Sequence, residues 1–180
     1  MALALVLTLL PASALAQDAV VIRDADGADV TVEDTTAVAT LGGVFTEVAY
    51  ALGAQDDIVA VDESSFYPPN ALADKSVLGY YRFLSAEPVL SAGPTLIVGN
   101  EETGPPEVVS QLRDAGVTML LLPDGNDVEG ARELISTMGR VFGRRRSAED
   151  LAHRRDEFAR TLDIVAIGQE QHGHAGIAQL

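Results

Sequence analysis

Short, β-branched apolar runs alternate with amphipathic segments along this chain, and that alternation limits its possible folds more than any other feature. Thr36 to Leu41, Ile58 to Val61, Thr95 to Val98 and Thr118 to Leu122 are apolar on successive residues. Strands buried on both faces of a parallel sheet read this way. Between them, Val44, Val48 and Leu52 fall at helical spacing, with Gly53 as the stop. Gly104 to Ala115 is opened by Pro105 and Pro106 and closed by Gly116. Ser85 opens a short helix to Leu90, and Asp127 caps a longer one whose Val128, Ala131, Leu134, Ile135, Met138, Val141 and Phe142 form one stripe. Strand–helix alternation predicts an α/β fold with a parallel, helix-flanked sheet and right-handed crossovers. Ala19 to Val32 adds a hairpin around Asp24-Ala25-Asp26-Gly27. In such sheets ligands sit on the loops at the carboxyl ends of the strands. The long loop from Asp62 to Leu84, with Phe66, Tyr67, Tyr80, Tyr81 and Phe83, is the natural candidate.

The two ends read differently. Met1 to Leu10 is an apolar run broken by Pro11 and followed by Ala14-Leu15-Ala16, the h-region and small-residue cleavage pattern of a signal peptide spanning residues 1–16. The run is too short to cross a bilayer, no Lys or Arg precedes it, and no cysteine follows it to carry a lipid anchor. A soluble exported protein, processed near Ala16, is expected. Ser147-Ala148-Glu149-Asp150 resembles a capping box, and Leu151, Phe158 and Leu162 support a helix over 147–163. Residues 164–180 have glycines and no periodicity. His172 and His174 lie there, but two histidines without a third ligand make a poor metal site.

Charge and composition exclude whole classes of function. The net charge of −15 argues against nucleic acid and against an anionic membrane surface. Arg140, Arg144, Arg145, Arg146, Arg154, Arg155 and Arg160 cluster late in the chain and read as a solvated helix face. With no cysteine there is no disulfide, thiolate catalysis, iron–sulfur cluster or cysteine zinc site. Leu41-Gly42-Gly43 lacks both the dinucleotide spacing and the P-loop lysine, and no nucleophile elbow is present. Ser64 and Ser65 would be the nucleophiles of a rival hydrolase reading. They have no evident base, since His153 lies far along the chain, and the chain is not expected to be an enzyme.

One segment carries more specific chemistry: Gly79-Tyr80-Tyr81-Arg82-Phe83-Leu84-Ser85-Ala86-Glu87. Together with Thr40-Leu41-Gly42-Gly43, Thr46-Glu47, Ala51-Leu52-Gly53, Val61 to Ser65, Tyr67-Pro68, Pro94 to Val98 and Gly104-Pro105-Pro106, it resembles the haemin-binding receptors of bacterial ABC importers. These belong to the helical-backbone, class III periplasmic binding proteins, which also include cobalamin and siderophore receptors. The resemblance covers roughly Thr36 to Asp163. It implies an N-terminal ligand-binding lobe over 17–146, then the start of an inter-lobe helix, with too few residues beyond it to build a second lobe.

The resemblance also implies roles. Haem is the transported ligand, Tyr80 its axial ligand through iron, and Arg82 the partner of the phenolate. Ferric haem binds phenolate oxygen. An ordinary tyrosine titrates near about 10, so a neighbouring guanidinium is needed to favour the ionised form. If the loop is extended, residues two apart face the same way, and Arg82 sits beside Tyr80 while Tyr81 faces elsewhere. Tyr81 then packs on the porphyrin or the loop, and Tyr67, with Phe66, lines the pocket. Glu87 corresponds to an acidic residue that docks onto arginines of the ABC transporter permease, steering orientation more than affinity. The expected protein is a periplasmic monomer that delivers haem. A siderophore or corrinoid receptor and a truncated receptor that no longer binds are the alternatives.

Overall fold

The computed structural model describes residues 19–154. The expected signal peptide, the far half of the expected inter-lobe helix with Phe158 and Leu162, and the tail with His172 and His174 lie outside the described residues.

The described residues open with the expected hairpin. Strands β1 (Val20–Arg23) and β2 (Asp29–Val32) pair antiparallel, Val20 opposite Val32. Its turn is fixed by Asp24, whose Oδ1 accepts from the backbone N–H of Ala28 at 3.0 Å, and by Gly27 at φ 80°. Then come β3 (Val38–Thr40), α1 (Gly43–Ala51), β4 (Ile58–Val61), α2 (Asn70–Asp74), β5 (Ser76–Val77), α3 (Ala86–Ala92), β6 (Leu96–Gly99), α4 (Pro106–Asp114), β7 (Thr118–Leu121) and α5 (Val128–Val141). A sixth helix, α6, runs over residues 145–154 to the edge of the described region.

Strands β3 to β7 form one five-stranded, wholly parallel sheet in the order β5-β4-β3-β6-β7. Burial on both faces follows from the strand period of two. Val38, Leu96, Val98 and Leu120 pack towards α1, α5 and the hairpin, with Phe45, Ile135 and Met138. Their neighbours Ala39, Ile97, Met119 and Leu121 pack towards α3 and α4, with Val89, Val109 and Leu112. The hairpin docks on the sheet edge through Ala25, which donates to the Leu121 carbonyl at 2.7 Å. Because the chain leaves β3 towards β4 on one side and returns through β6 on the other, the order reverses between β3 and β6. Open α/β sheets leave a crevice there, at the carboxyl ends of the strands.

Two expectations are corrected. The stretch from Asp62 to Leu84 is not all loop: it holds α2 and β5, elements of five and two residues, too short to show a periodicity. The last helix begins at residue 145 rather than at Ser147. Helix α5 ends on Gly143 at φ 63°, with Arg144 donating back to the Gly139 carbonyl at 2.7 Å, a Schellman-type stop. The Arg144 carbonyl then accepts from Ala148 at 3.0 Å, so α6 starts at once and Ser147 falls inside its first turn. The two helices touch so closely that a Cβ on Gly139 would sit 2.3 Å from that of Ala148.

Candidate functional site

The turn from β3 into α1 is the floor of the site. Asp62, the first residue after β4, is fully buried and reaches back across it. Its Oδ1 accepts from the Gly42 N–H and from the Ser65 hydroxyl, each at 3.0 Å, and its Oδ2 accepts from the Ser64 N–H at 3.0 Å. The Ser65 hydroxyl also meets Thr46 at 2.7 Å, and Thr46 meets Thr40 at 2.7 Å, all three side chains being inaccessible to solvent. Ser64 Oγ accepts from the Gly43 N–H at 3.0 Å. Gly43 has to be glycine, because a Cβ there would lie 2.7 Å from the Ser64 carbonyl oxygen. Ser64 and Ser65 are thus committed to holding two loops together.

A second knot stands across the crevice, beyond β6 and β7. The Asn100 amide donates to both carboxylate oxygens of Asp124, at 2.9 and 3.1 Å. Its carbonyl oxygen accepts from the Glu102 N–H at 3.1 Å. Between the two knots lies an open depression of about 440 Å³ whose lining includes Gly43, Ser64, Tyr80, Tyr81, Asn100 and Asp124. It stands at the reversal of strand order, at the carboxyl ends of β3, β4, β6 and β7.

The aromatic segment closes the remaining side. Gly79, at φ 83°, turns the chain, and Tyr81–Phe83 form one turn of 3-10 helix. The extended geometry expected for this segment is therefore not found. A 3-10 turn advances three residues per revolution, so Tyr80 and Arg82 do not share a direction. Arg82 turns instead to Tyr81: its Nε donates to the Tyr81 hydroxyl at 3.0 Å, and its guanidinium carbon lies 5.5 Å from the centre of that ring. Its Nη2 forms an ion pair with Glu102. Tyr81 is buried, whereas Tyr80 is 36% and Phe83 79% exposed. The Tyr80 ring lies 4.8 Å from that of Tyr81 and 6.0 Å from that of Phe83, centre to centre.

The electrostatics differ from the expectation in the same way. The hydrogen bond to Tyr81 raises the Tyr80 pKa above its ordinary value, and partial desolvation and the negative charge of Glu102 act in the same direction. Arg82 opposes them without prevailing. In this arrangement Tyr80 is a neutral phenol that must release a proton to ligate a metal. Of the expected site residues, Tyr80, Tyr81 and Arg82 are brought together. Tyr67 and Phe66 are exposed, at 63% and 74%, in the turn after Ser65 and do not line the depression. Glu87 is exposed in the first turn of α3. Sequence reasoning gave no role to Asp62, Asn100 or Glu102. Asp62 fell inside the Val61 to Ser65 stretch of the resemblance, and the other signal was a polar residue soon after each buried strand. Among the described residues, no group of three or more His, Cys, Asp or Glu could hold a metal ion, and no helix is long and apolar enough to cross a membrane.

Comparison with known proteins agrees with this architecture. The chain is 29% identical over 135 residues to an uncharacterized ABC transporter substrate-binding lipoprotein, YvrC, of Bacillus subtilis, covering 73% of this chain and 42% of that protein. A shorter stretch of 74 residues is 39% identical to a vitamin B12-binding protein of Vibrio cholerae, 41% of this chain and 26% of that one. In three dimensions it is similar to a periplasmic haem-binding protein from Pseudomonas aeruginosa, with TM-score 0.70 and 33% identity over 76% of this chain and 49% of that chain. The chain thus spans less than half the length of each of these relatives. Residues 38–163 match the family model described as periplasmic binding protein, in keeping with the five-stranded parallel sheet and its switch-point crevice, and the chain belongs to that family.

Proposed function

We propose that this lobe binds haem as a transported ligand. The observation that carries the reading is the aromatic wall of Tyr80, Tyr81 and Phe83, two of its rings exposed, set against the switch-point depression. A flat porphyrin face stacks on such rings, and the Tyr80 hydroxyl supplies the oxygen that ferric iron takes. Ligation exchanges the phenol proton for iron, and in this reading the Tyr81 hydroxyl, which accepts from Arg82 Nε, donates to the resulting phenolate. Arg82 acts on Tyr80 through Tyr81. The likeness to a periplasmic haem-binding structure supports the reading. Tyr67 contributes at the outer edge.

The wider setting is part of the same proposal. The protein is exported by its first 16 residues, residues 17–146 act as the ligand-binding lobe, and Glu87 on the exposed face of α3 docks onto an ABC permease. It works as a monomer and catalyses nothing. Titration of the full chain with haemin, followed by absorbance, tests the ligand. A tyrosinate-type spectrum that Tyr80→Ala removes and Tyr81→Ala largely keeps is expected. The inverse pattern would move the ligand to Tyr81. A corrinoid is the second reading, favoured by the stretch shared with the vitamin B12-binding protein. Saturable binding of cobalamin with none of haemin would select it.

A further inference from the structure

We propose that Glu102 is a specificity-determining residue: it occupies Arg82 as an internal counter-anion while the site is empty, and a carboxylate of the incoming ligand replaces it. This rests on the reading that the ligand enters the depression beside Tyr80. The Arg82–Glu102 pair sits on the rim, with the two side chains 46% and 49% exposed, so an incoming group can reach it. Its placement is built rather than incidental. The Glu102 N–H is tied to the Asn100 side chain, Asn100 is 2% exposed, and Asp124 holds its amide from the far side. The loop after β6 thereby presents Glu102 to Arg82, 20 residues earlier in sequence.

The surroundings give the pair its consequence. Asp124 lines the depression, and no Lys or Arg is among the lining residues. Arg82, attached to the lining Tyr81 through its Nε, is a cation within reach of an anionic ligand at the rim. Its guanidinium commits Nη2 to Glu102, a donor that carboxylates share in the same planar geometry. A ligand carrying carboxylates gains Arg82 by exchange. A ligand presenting neutral amides has nothing to offer in exchange and leaves Glu102 in place. The site thus selects for acidic ligands, at the cost of absolute affinity.

The test uses metal-free protoporphyrin IX, which carries two carboxylates and no iron, and its dimethyl ester, titrated by fluorescence into the full chain and into Glu102→Gln. Removing an exposed competing charge should tighten the free acid by about 1.5- to fivefold and leave the ester unchanged. That difference should shrink with added salt, as exposed charge effects do. Glu102→Asp, which keeps the charge, should return the acid towards its original affinity. Equal changes for acid and ester, weaker binding in Glu102→Gln, or no binding of the acid by either protein would overturn the proposal. Failure of the haem reading is separate: haemin would then give no tyrosinate spectrum while the acid-over-ester difference persisted.

Discussion

Two polar assemblies share one edge of the sheet, and they are built on opposite principles. In the interior knot, Asp62, Ser65, Thr46 and Thr40 are closed to solvent, and the bonds tie together the end of β3, the first turns of α1 and the residues after β4. On the rim, Tyr80, Arg82 and Glu102 reach solvent and hold one another through a phenol and an exposed ion pair. Buried, satisfied polar networks rigidify a unique arrangement, whereas exposed ion pairs contribute little to stability. The difference teaches how a binding lobe is divided. The floor fixes where a ligand can sit, and the rim retains partners that a ligand can exchange.

The comparison breaks most sharply at Asp62. Asp62→Ala leaves the Gly42 N–H, the Ser64 N–H and the Ser65 hydroxyl without their acceptor in a dry site, and should cost about 3–5 kcal/mol in urea unfolding. A cost below about 1 kcal/mol would show that water replaces the carboxylate and that the floor is not rigid. Gly43→Ala probes the same floor from the backbone side. Its methyl meets the Ser64 carbonyl at 2.7 Å, and neither loop can yield without straining the knot, so a loss of about 1–3 kcal/mol is expected.

The same division explains what could be read in the sequence. The β3, β4, β6 and β7 strands and the α1, α4 and α5 helices were legible, because apolar alternation and Gly or Pro boundaries report buried faces directly. Asp127 even announced its cap, accepting from the Gly130 N–H at 2.7 Å. The Tyr-Tyr-Arg segment was legible as a candidate site through resemblance. Its geometry was not, since whether Arg82 turns to Tyr80 or Tyr81 depends on a 3-10 turn and on Glu102, which is distant in sequence. The knots were illegible for the same reason. Asp62 and Asn100 look like ordinary residues following a strand until the topology brings the β3 turn and Asp124 against them. The start of α6 was misplaced because the Schellman stop at Gly143 overrides the local capping pattern at Ser147.

Mutations on the rim should invert the effects seen on the floor. Tyr80→Ala removes a side chain that is 36% exposed and whose ring contacts are with Tyr81 and Phe83, so unfolding should change by no more than about 0.5–1 kcal/mol. Haemin ligation should be lost in the same variant. A destabilisation as large as that of Asp62→Ala would place Tyr80 in the structural knot and erase the distinction between floor and rim.

The smallest effect separates the members of the rim, and it is read in pH. The Tyr80 pKa is raised, chiefly by its hydrogen bond to Tyr81, while Arg82 pulls it down and Glu102 pushes it up. Ligation of ferric haem by the phenolate releases a proton. Below the Tyr80 pKa, haemin affinity should therefore climb with pH, and above it the climb should flatten. Arg82→Leu removes the one lowering influence and leaves Glu102 unpaired beside the tyrosines, so the flattening should move to higher pH. Adding Glu102→Gln to that variant removes the opposing charge and should bring the profile part of the way back. Each step is a displacement of the profile rather than a loss of folding, since the pair is half exposed. A profile unmoved by Arg82→Leu would mean that Arg82 does not set the proton affinity of Tyr80 and serves only as the cation over which Glu102 and a ligand carboxylate exchange.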